Sequence, residues 1–482
     1  MSDRPRERAL VPLLALALAL RLPWLGAVPN PCGDEGNWPL LGLSLSRGVA
    51  ASLPPDAGFV PGTFAWLIAG SFQLFGPSFM AARIVLVVGL LAAVTLAATR
   101  LRRGPALALA AVLLLHPWSV AWSRTASVPY ALSLGLAALG PLAWWSALRA
   151  RSPVALVVAA QCLGLGFHFS PLAALPALAC ALWTSLPAQR DALRLPALWA
   201  AVAGGALHLV PLVRGVLAMP PSAAAPAAGH GRALDAARMM LGDLSGAATL
   251  RHFAGVTTRT ELLAAAALGL VALLSARPAW RDPLGRFAAL GLAVAVVGLP
   301  LMLCPARAWS MPTIDADRYG FVLIAPWALW CAAWARSQPV RATLLPGALA
   351  LALTAALAAH FVHGGGPDLG LRVADGGGRY RGWQAPRERI ALPVLVRAAV
   401  LADADGSPAV VTWDDYAFHP IRFVNAASGD ARVRHAWVGA ELPEGRRVYR
   451  VTPGGVALPR WRAVRRWSMV DGTPLATLWS EL

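Results

Sequence analysis

Two carboxylates stand side by side in "NPCGDEGNW", residues 30–38: Asp34 and Glu35. They follow directly on "ALVPLLALALALRLPWLGAV", an apolar run long enough to cross a bilayer. An ionised, fixed carboxylate at a water–lipid boundary can bind a hydroxyl acceptor and take its proton, acting as a general base. The pair also fits helix capping. Asp is a favoured N-cap, Glu35 would favour the helix dipole, and "EGNWPLLGLSLSRG" reads as a surface helix. The two roles are compatible. A helix N-terminus would hold Asp34 ionised, while the adjacent like charge resists ionisation of one partner.

Cationic groups come next. Arg83 opens the second span in "SFMAARIVL", and Arg318 opens the tenth in "DADRYGFVL". An Arg at an outer span end either snorkels to headgroups or clamps a phosphate, for which its planar fork is suited. His168, in "GLGFHFSPLAALP", stands at the outer end of the fifth span. It reads as a packed interfacial residue or as a hydrogen-bond donor to a phosphate or an acceptor. Asp315 and Asp317 flank the Arg318 site as a divalent-metal site, as Arg partners or as solvated loop charges. His116 and His208 read as core residues within spans, and the lone histidines have no metal-ligand spacing. The five cysteines have no metal or redox spacing either. Cys32 and Cys304 both fall at the outer face, where two unpaired thiols are expected and a disulfide is the alternative.

The elements that position these groups are membrane helices. Of 482 residues, 57% are hydrophobic and 14% charged, against roughly 25% charged in a soluble domain. Mean hydropathy is +0.57. No small-residue cleavage pattern precedes "NPCGDE", so the first run reads as a span and not as a signal peptide. The net charge is +18, and every basic side chain is Arg, for the chain contains no Lys. Most Arg lie in short clusters between apolar runs, which is the pattern of cytoplasmic loops and argues against nucleic-acid binding.

Twelve apolar runs appear, at 9–28, 61–76, 80–99, 105–122, 128–148, 153–169, 170–187, 195–217, 261–276, 286–304, 319–335 and 343–362. Parity decides their topology. With the basic tail "MSDRPRER" inside and 61–76 lying at the surface, the clusters Arg100/Arg102/Arg103, Arg149/Arg151, Arg190/Arg194, Arg277/Arg281/Arg286 and Arg336/Arg341 all fall inside. If 61–76 crosses, all of them fall outside. Each Arg near an anionic leaflet is worth about 1 kcal/mol, so the first arrangement is preferred.

The expected fold is therefore a polytopic α-helical membrane protein with about eleven spans and a juxtamembrane helix. Loop 29–79, link 123–127, loop 218–260 and segment 305–319 lie outside. In loop 218–260, "RALDAARMMLGDL" is amphipathic enough to lie on the membrane surface. The runs 153–169 and 170–187 form a tight hairpin broken near Ser170-Pro171. Residues 1–362 form the membrane domain. Residues 363–482 shift in composition and read as a small α/β domain outside the membrane, with a helix at "ALPVLVRAAVLA" and strands at "PAVVTWDD", "RRVYRVT" and "TPLATLWS".

The order of these features resembles the C-type membrane glycosyltransferases, nearest to the bacterial relatives of the protein O-mannosyltransferases and of the lipid A aminoarabinose transferase. A first span leads to an outer loop opening with Asp-Glu, then a Pro-led helix ending "LFG", then "AAR" at the second span. "GLGFHFSPLAALP" and "DADRYGFVLIAP" follow in the right order. The resemblance covers most of residues 1–362. It implies transfer of a sugar from a polyprenyl-phosphate donor to a hydroxyl on a cell-envelope glycan, lipid or protein, at the outer face of a bacterial inner membrane and with inversion. It also implies Asp34 as general base, Glu35 supporting it or orienting the acceptor, and Arg83, His168 and Arg318 holding the leaving phosphate. No organic cofactor is implied; a divalent metal is left open. The chain has Val128-Pro129 where some relatives carry an acidic residue, and only Asp56, with no Lys, before the juxtamembrane helix. The sugar therefore stays unassigned. The competing reading is a transporter or flippase of a lipid-linked saccharide, which predicts charged residues deep within spans; the middles of the runs are nearly uncharged.

Overall fold

Each of the twelve apolar runs forms helix. The structure, a computed structural model, describes residues 4–29, 31, 33–49, 62–218, 240–254, 258–303, 319–339, 342–363, 387–405, 407–413, 415–430, 432–437, 442, 445–453, 458–468, 472 and 474–481. Its helices are α1 (Arg4–Arg21), α2 (Asn37–Ser46), α3 (Thr63–Phe75), α4 (Phe79–Thr99), α5 (Arg103–Leu115), α6 (Pro117–Trp122), α7 (Tyr130–Ala150), α8 (Pro153–Gly166) and α9 (Ala174–Ser185). They continue as α10 (Pro196–Ala206), α11 (Leu209–Ala218), α12 (Ala247–Ala254), α13 (Thr258–Arg281), α14 (Pro283–Leu303), α15 (Phe321–Ala335), α16 (Leu345–His363), α17 (Leu392–Asp403) and α18 (Asp415–Ser428).

Among the described residues, four helical stretches are by themselves long and apolar enough to cross a bilayer: Phe79–Thr99, Tyr130–Ala150, Leu262–Arg281 and Ala342–Ala359. Eight further apolar helices are shorter, at 10–17 residues. Part of the shortening is local chemistry. Run 105–122 breaks between α5 and α6 because Pro117 has no N–H to continue the ladder, and His116 Nδ1 accepts the Trp118 N–H at 3.2 Å. Run 195–217 breaks at Leu207–His208, between α10 and α11. Ser170 caps the turn at Pro171, accepting from the Leu172 N–H at 3.2 Å, where the tight hairpin was expected.

The bundle has two chemically distinct ends. At one, Arg149 and Arg336 lie over the Trp145 ring at 4.9 and 5.1 Å, and Arg336 pairs with Asp282 at 3.1 Å. Three of the inter-helix links that carry Arg clusters therefore share one end. The Asp-Glu turn lies at the other, where α4 and α7 begin. Each of those helices has 21 residues, so the ends stand about 31 Å apart.

The short helices α2 and α3 run side by side in the same direction. Trp38 meets Phe64 at 5.6 Å between ring centroids, and Gly42 faces Ile68. A Cβ on Gly42 would stand 2.6 Å from Ile68 Cγ2, so the close approach requires glycine there. At its far end α3 meets the start of α4, where the Ser71 hydroxyl donates to the Ala81 carbonyl at 2.6 Å. Both ends of α3 thus reach the layer that holds the Asp-Glu turn.

Residues 392–481 build a five-stranded sheet with order β2-β1-β3-β5-β4, where β1 is Ala409–Trp413, β2 Val433–Trp437, β3 Arg447–Pro453, β4 Trp461–Ser468 and β5 Pro474–Glu481. β1 pairs in parallel with β2 and β3; β5 is antiparallel to both β3 and β4. The helix and three strands read from sequence are present; β2, β4 and α18 were not foreseen. α17 packs Leu392, Val396 and Val400 against Val411, Tyr449 and Leu478. α18 packs on both sides: Ile421 joins the core of the sheet unit, and its other face meets the Asp-Glu turn and the helices around it. Phe423 stacks on Phe72 at 5.7 Å and meets Phe79 edge-on at 4.9 Å. Arg47 donates to the Ala426 carbonyl at 3.1 Å, and Arg389 lies over the Trp24 ring at 4.7 Å. The sheet unit is therefore seated on the same layer as the Asp-Glu turn.

Candidate active site

Asp34 and Glu35 lie in a single 3-10 turn, Gly33–Gly36, that runs straight into α2. The Asp34 side chain lies outside the described residues. Glu35 is fully buried. Arg83 grips it with two parallel bonds, Nε to Oε1 at 2.6 Å and Nη2 to Oε2 at 2.7 Å. The Ala126 N–H also donates to Oε1, at 2.5 Å. The third arm of Arg83, Nη1, donates to the Leu25 carbonyl at 2.7 Å. The turn is thereby bolted to the end of the first span, the start of α4 and the link 123–127.

The structure gives Arg83 a different partner from the expected phosphate. A buried carboxylate without a cation would be severely penalised by desolvation, and its claim on the guanidinium precedes that of any ligand. Glu35, in turn, has both oxygens engaged and directs neither to solvent.

Two further buried arginines brace the same layer. Arg21 donates to Ser123 Oγ at 3.0 Å, Ser119 Oγ at 3.0 Å and the Leu114 carbonyl at 2.8 Å. Arg124 gathers the carbonyls of Leu20, Arg21, Pro23 and Val28, at 2.6–3.1 Å. It fixes the backbone that leads to residue 34. Burial, then the charges of Arg83 and Arg21, pull the Arg124 guanidinium down to about 9. The three cations therefore act on one another and set a positive field around the turn, which favours an ionised carboxylate and a developing anion. Sequence reasoning missed Arg124; its signal was an Arg inside the short link "WSRTAS".

His168 belongs to a chain of four side chains. The Thr63 hydroxyl lies 2.6 Å from His168 Nδ1, His168 Nε2 lies 3.0 Å from His208 Nδ1, and His208 Nε2 lies 2.6 Å from Gln161 Oε1. His208, expected as a simple core residue, is thus part of this chain. Gly164 makes room for it: a Cβ there would stand 2.5 Å from His208 Cδ2 and 2.7 Å from the Gly205 carbonyl. The same glycines line an apolar cavity of about 400 Å³ between α8, α9 and α10, with Phe167, Leu178 and Val202.

Arg318, Asp315, Asp317, Asp56, Cys32 and Cys304 lie outside the described residues. Tyr319, next to Arg318, packs edge-on against Tyr130 at 5.7 Å, and Tyr130 meets Trp122 at 6.0 Å. The segment after Arg318 therefore joins the layer of link 123–127. The loop 218–260 also enters it. Segment 232–244 was expected on the membrane surface as an amphipathic helix; residues 232–239 lie outside the described residues. Instead Met240 and Asp243 are buried, and the Leu244 carbonyl lies 3.1 Å from His116 Nε2. Among the described residues, no group of three or more His, Cys, Asp or Glu could hold a metal ion.

No protein-family model matches the chain, and no curated protein matches it. Solved structures do. The crystal structure of ArnT from Cupriavidus metallidurans bound to undecaprenyl phosphate aligns with a TM-score of 0.59 and 13% identity, covering 97% of each chain. The structure of the same protein in the apo state aligns with a TM-score of 0.46 and 15% identity, again over 97% of each chain. The chain shares its overall fold with that undecaprenyl-phosphate-bound protein over nearly its whole length.

Proposed function

We propose that this chain is a membrane glycosyltransferase that moves a sugar from a polyprenyl-phosphate donor to a hydroxyl acceptor at the outer face of a bacterial inner membrane. The observation that carries the reading is the lock on Glu35. A bidentate Arg83 and the Ala126 amide hold the turn that contains Asp34, in a positive field at one end of the bundle. The shared fold with a protein solved with undecaprenyl phosphate supports the donor class.

In this reading Asp34 removes the acceptor hydroxyl proton. The acceptor oxygen attacks the anomeric carbon from the face opposite the phosphate, and the carbon–phosphate-oxygen bond breaks with its electron pair on the phosphate. The configuration inverts. Glu35 acts as a positioning residue, and Arg83 supports it from behind the turn. Arg318 keeps its assignment to the leaving phosphate, where neutralising the developing charge is the larger electrostatic task. Eleven spans with residues 363–482 outside, and α18 seated over the turn, complete the proposal; the sheet unit would then shape access for the glycan, lipid or protein acceptor.

The test is reconstitution with radiolabelled polyprenyl-phosphate sugars and a cell-envelope extract, comparing wild type with Asp34→Asn. Transfer by the wild type and a loss of about 10²-fold or more in the variant is expected, the scale of a general base. Equal transfer by both removes Asp34 as the base. Absence of transfer with any donor, together with lipid scrambling in vesicles, would replace the reading with a flippase.

A further inference from the structure

Helix α17 is apolar on both of its long faces. Leu392, Val396 and Val400 pack into the sheet unit. Two positions further along, about 200° round the helix, the opposite face carries Val394, Ala398 and Ala402, all exposed, with Ile390 in the same row just before the helix. Ile390 is 45% and Val394 40% exposed. The two charged side chains of α17 both turn back into the unit. Arg397 donates to Asp430 at 3.0 Å, and Asp403 accepts from Tyr449 at 2.9 Å and from Arg462 at 2.8 Å. Exposed charges flank the helix, Arg387 and Glu388 before it and Asp405 after it. A helix at the surface of a water-soluble unit carries polar residues on the side away from its core; one that is apolar there too has an apolar cover.

The position of α17 says what that cover is. Val396 and Val400 of α17 share one core with Ile421 of α18, Val411 and Tyr449, so both helices lie on the same face of the sheet. The far side of α18 rests on the Asp-Glu turn and, through Phe423, on Phe72 and Phe79. The far side of α17 therefore also looks away from the sheet, toward the level of the membrane helices. At its start, Arg389 lies over the Trp24 ring at 4.7 Å, just past the end of α1. The surface around this contact is apolar and open: Leu22, Trp24 and Met80 are 43–51% exposed, and Gly26 packs on Met80. In a membrane-spanning bundle such a belt at the helix ends meets lipid. The row from Ile390 to Ala402 continues it for about 18 Å.

We propose that α17 is an interfacial helix whose outer row, Ile390, Val394, Ala398 and Ala402, lies in the lipid leaflet at the end of the bundle that holds the Asp-Glu turn. The occupant of this surface is phospholipid. A short helix with charges at both ends and its other face committed to a sheet fits the headgroup–acyl boundary, not the bilayer core. The consequence is mechanical. The leaflet holds the sheet unit at α17 while α18 holds it on the Asp-Glu turn, so the depth of the turn relative to lipid is set by both contacts. The inference rests on a bundle that spans the membrane and not on the reaction assigned to it.

The experiment uses the full chain in phospholipid nanodiscs, with dansylalanine placed singly at Val394, at Ala398 or at Arg434, an exposed residue of β2. Phosphatidylcholine carrying a nitroxide high on its acyl chain is the probe. An interfacial helix sits about 5–10 Å into the headgroup–acyl boundary, so emission from the Val394 and Ala398 positions should be blue-shifted and quenched about twofold or more. Emission from the Arg434 position should be neither. Val394→Asp combined with the Ala398 reporter should relieve the quenching, and Val394→Leu should keep it. Water-like, unquenched emission from both α17 positions overturns the proposal, as does full quenching in Val394→Asp. Blue-shifted emission that the labelled lipid leaves unquenched also overturns it, and puts a protein surface, such as a second copy of the chain, in place of lipid. Equal quenching at the Arg434 position does the same, because it would report nearness to the disc and not insertion.

Discussion

Removing one partner of the Glu35–Arg83 pair leaves a buried charge uncompensated. Glu35→Ala and Arg83→Ala should each cost about 3–5 kcal/mol, whereas replacing both with apolar residues of similar volume should recover much of that. Thermal unfolding in detergent checks this, and single variants as stable as wild type would contradict the lock. A second residue-scale prediction concerns acid. Burial pushes the Asp403 carboxyl up, but hydrogen bonds from Arg462 and Tyr449 and the charges of Arg462 and Arg447 outweigh it and hold it below the usual carboxylate range. Arg432 does the same for Asp430. Groups lowered in the folded state stabilise it above the ordinary carboxylate pKa and lose that contribution as pH falls through the depressed value. The sheet unit should therefore loosen below about pH 4, read by tryptophan fluorescence, and Arg462→Ala should flatten that profile. At this scale the sequence singled out Asp34, Glu35, Arg83 and His168 as candidates, by type and position. Their partners were hidden, because Glu35 and Arg83 lie 48 positions apart and His168 and His208 lie 40 apart. Only tertiary packing tells an Arg that binds a ligand from one that neutralises a buried acid.

The helices were legible as apolar runs, since lipid-facing segments need no polar stripe to announce them. Their interruptions were not. His116–Pro117 breaks a run of uniform hydropathy, and β4, "WRAVRRWS", hides its strand period behind consecutive arginines. The seating of α18 was equally invisible, because Phe423 meets residues more than 300 positions away. Phe423→Ala should loosen this contact by a few kcal/mol, in the range of a buried Phe truncation. Hydrogen exchange should then rise in residues 33–46 while the central helices α5 and α15 keep their protection. Unchanged exchange across the turn would mean that the sheet unit does not brace it.

Across the whole molecule, the Arg clusters carry the proposed topology and the ion pairs define the layer. The proposed arrangement predicts that a periplasm-active reporter fused after Arg103 is silent and one fused after Ser127 is active; the opposite pattern would make α3 a span. Link 123–127, the start of α4, the Asp-Glu turn and α18 converge on one end of the bundle, which is where the proposed chemistry must occur. That convergence distinguishes transfer from transport in their products. Counting polyprenyl phosphate released against sugar appearing on the acceptor, with purified chain and a single labelled donor, is the most direct measurement. The account predicts equal amounts from the wild type and neither from Asp34→Asn; an intact donor delivered across the bilayer with no polyprenyl phosphate released would contradict it.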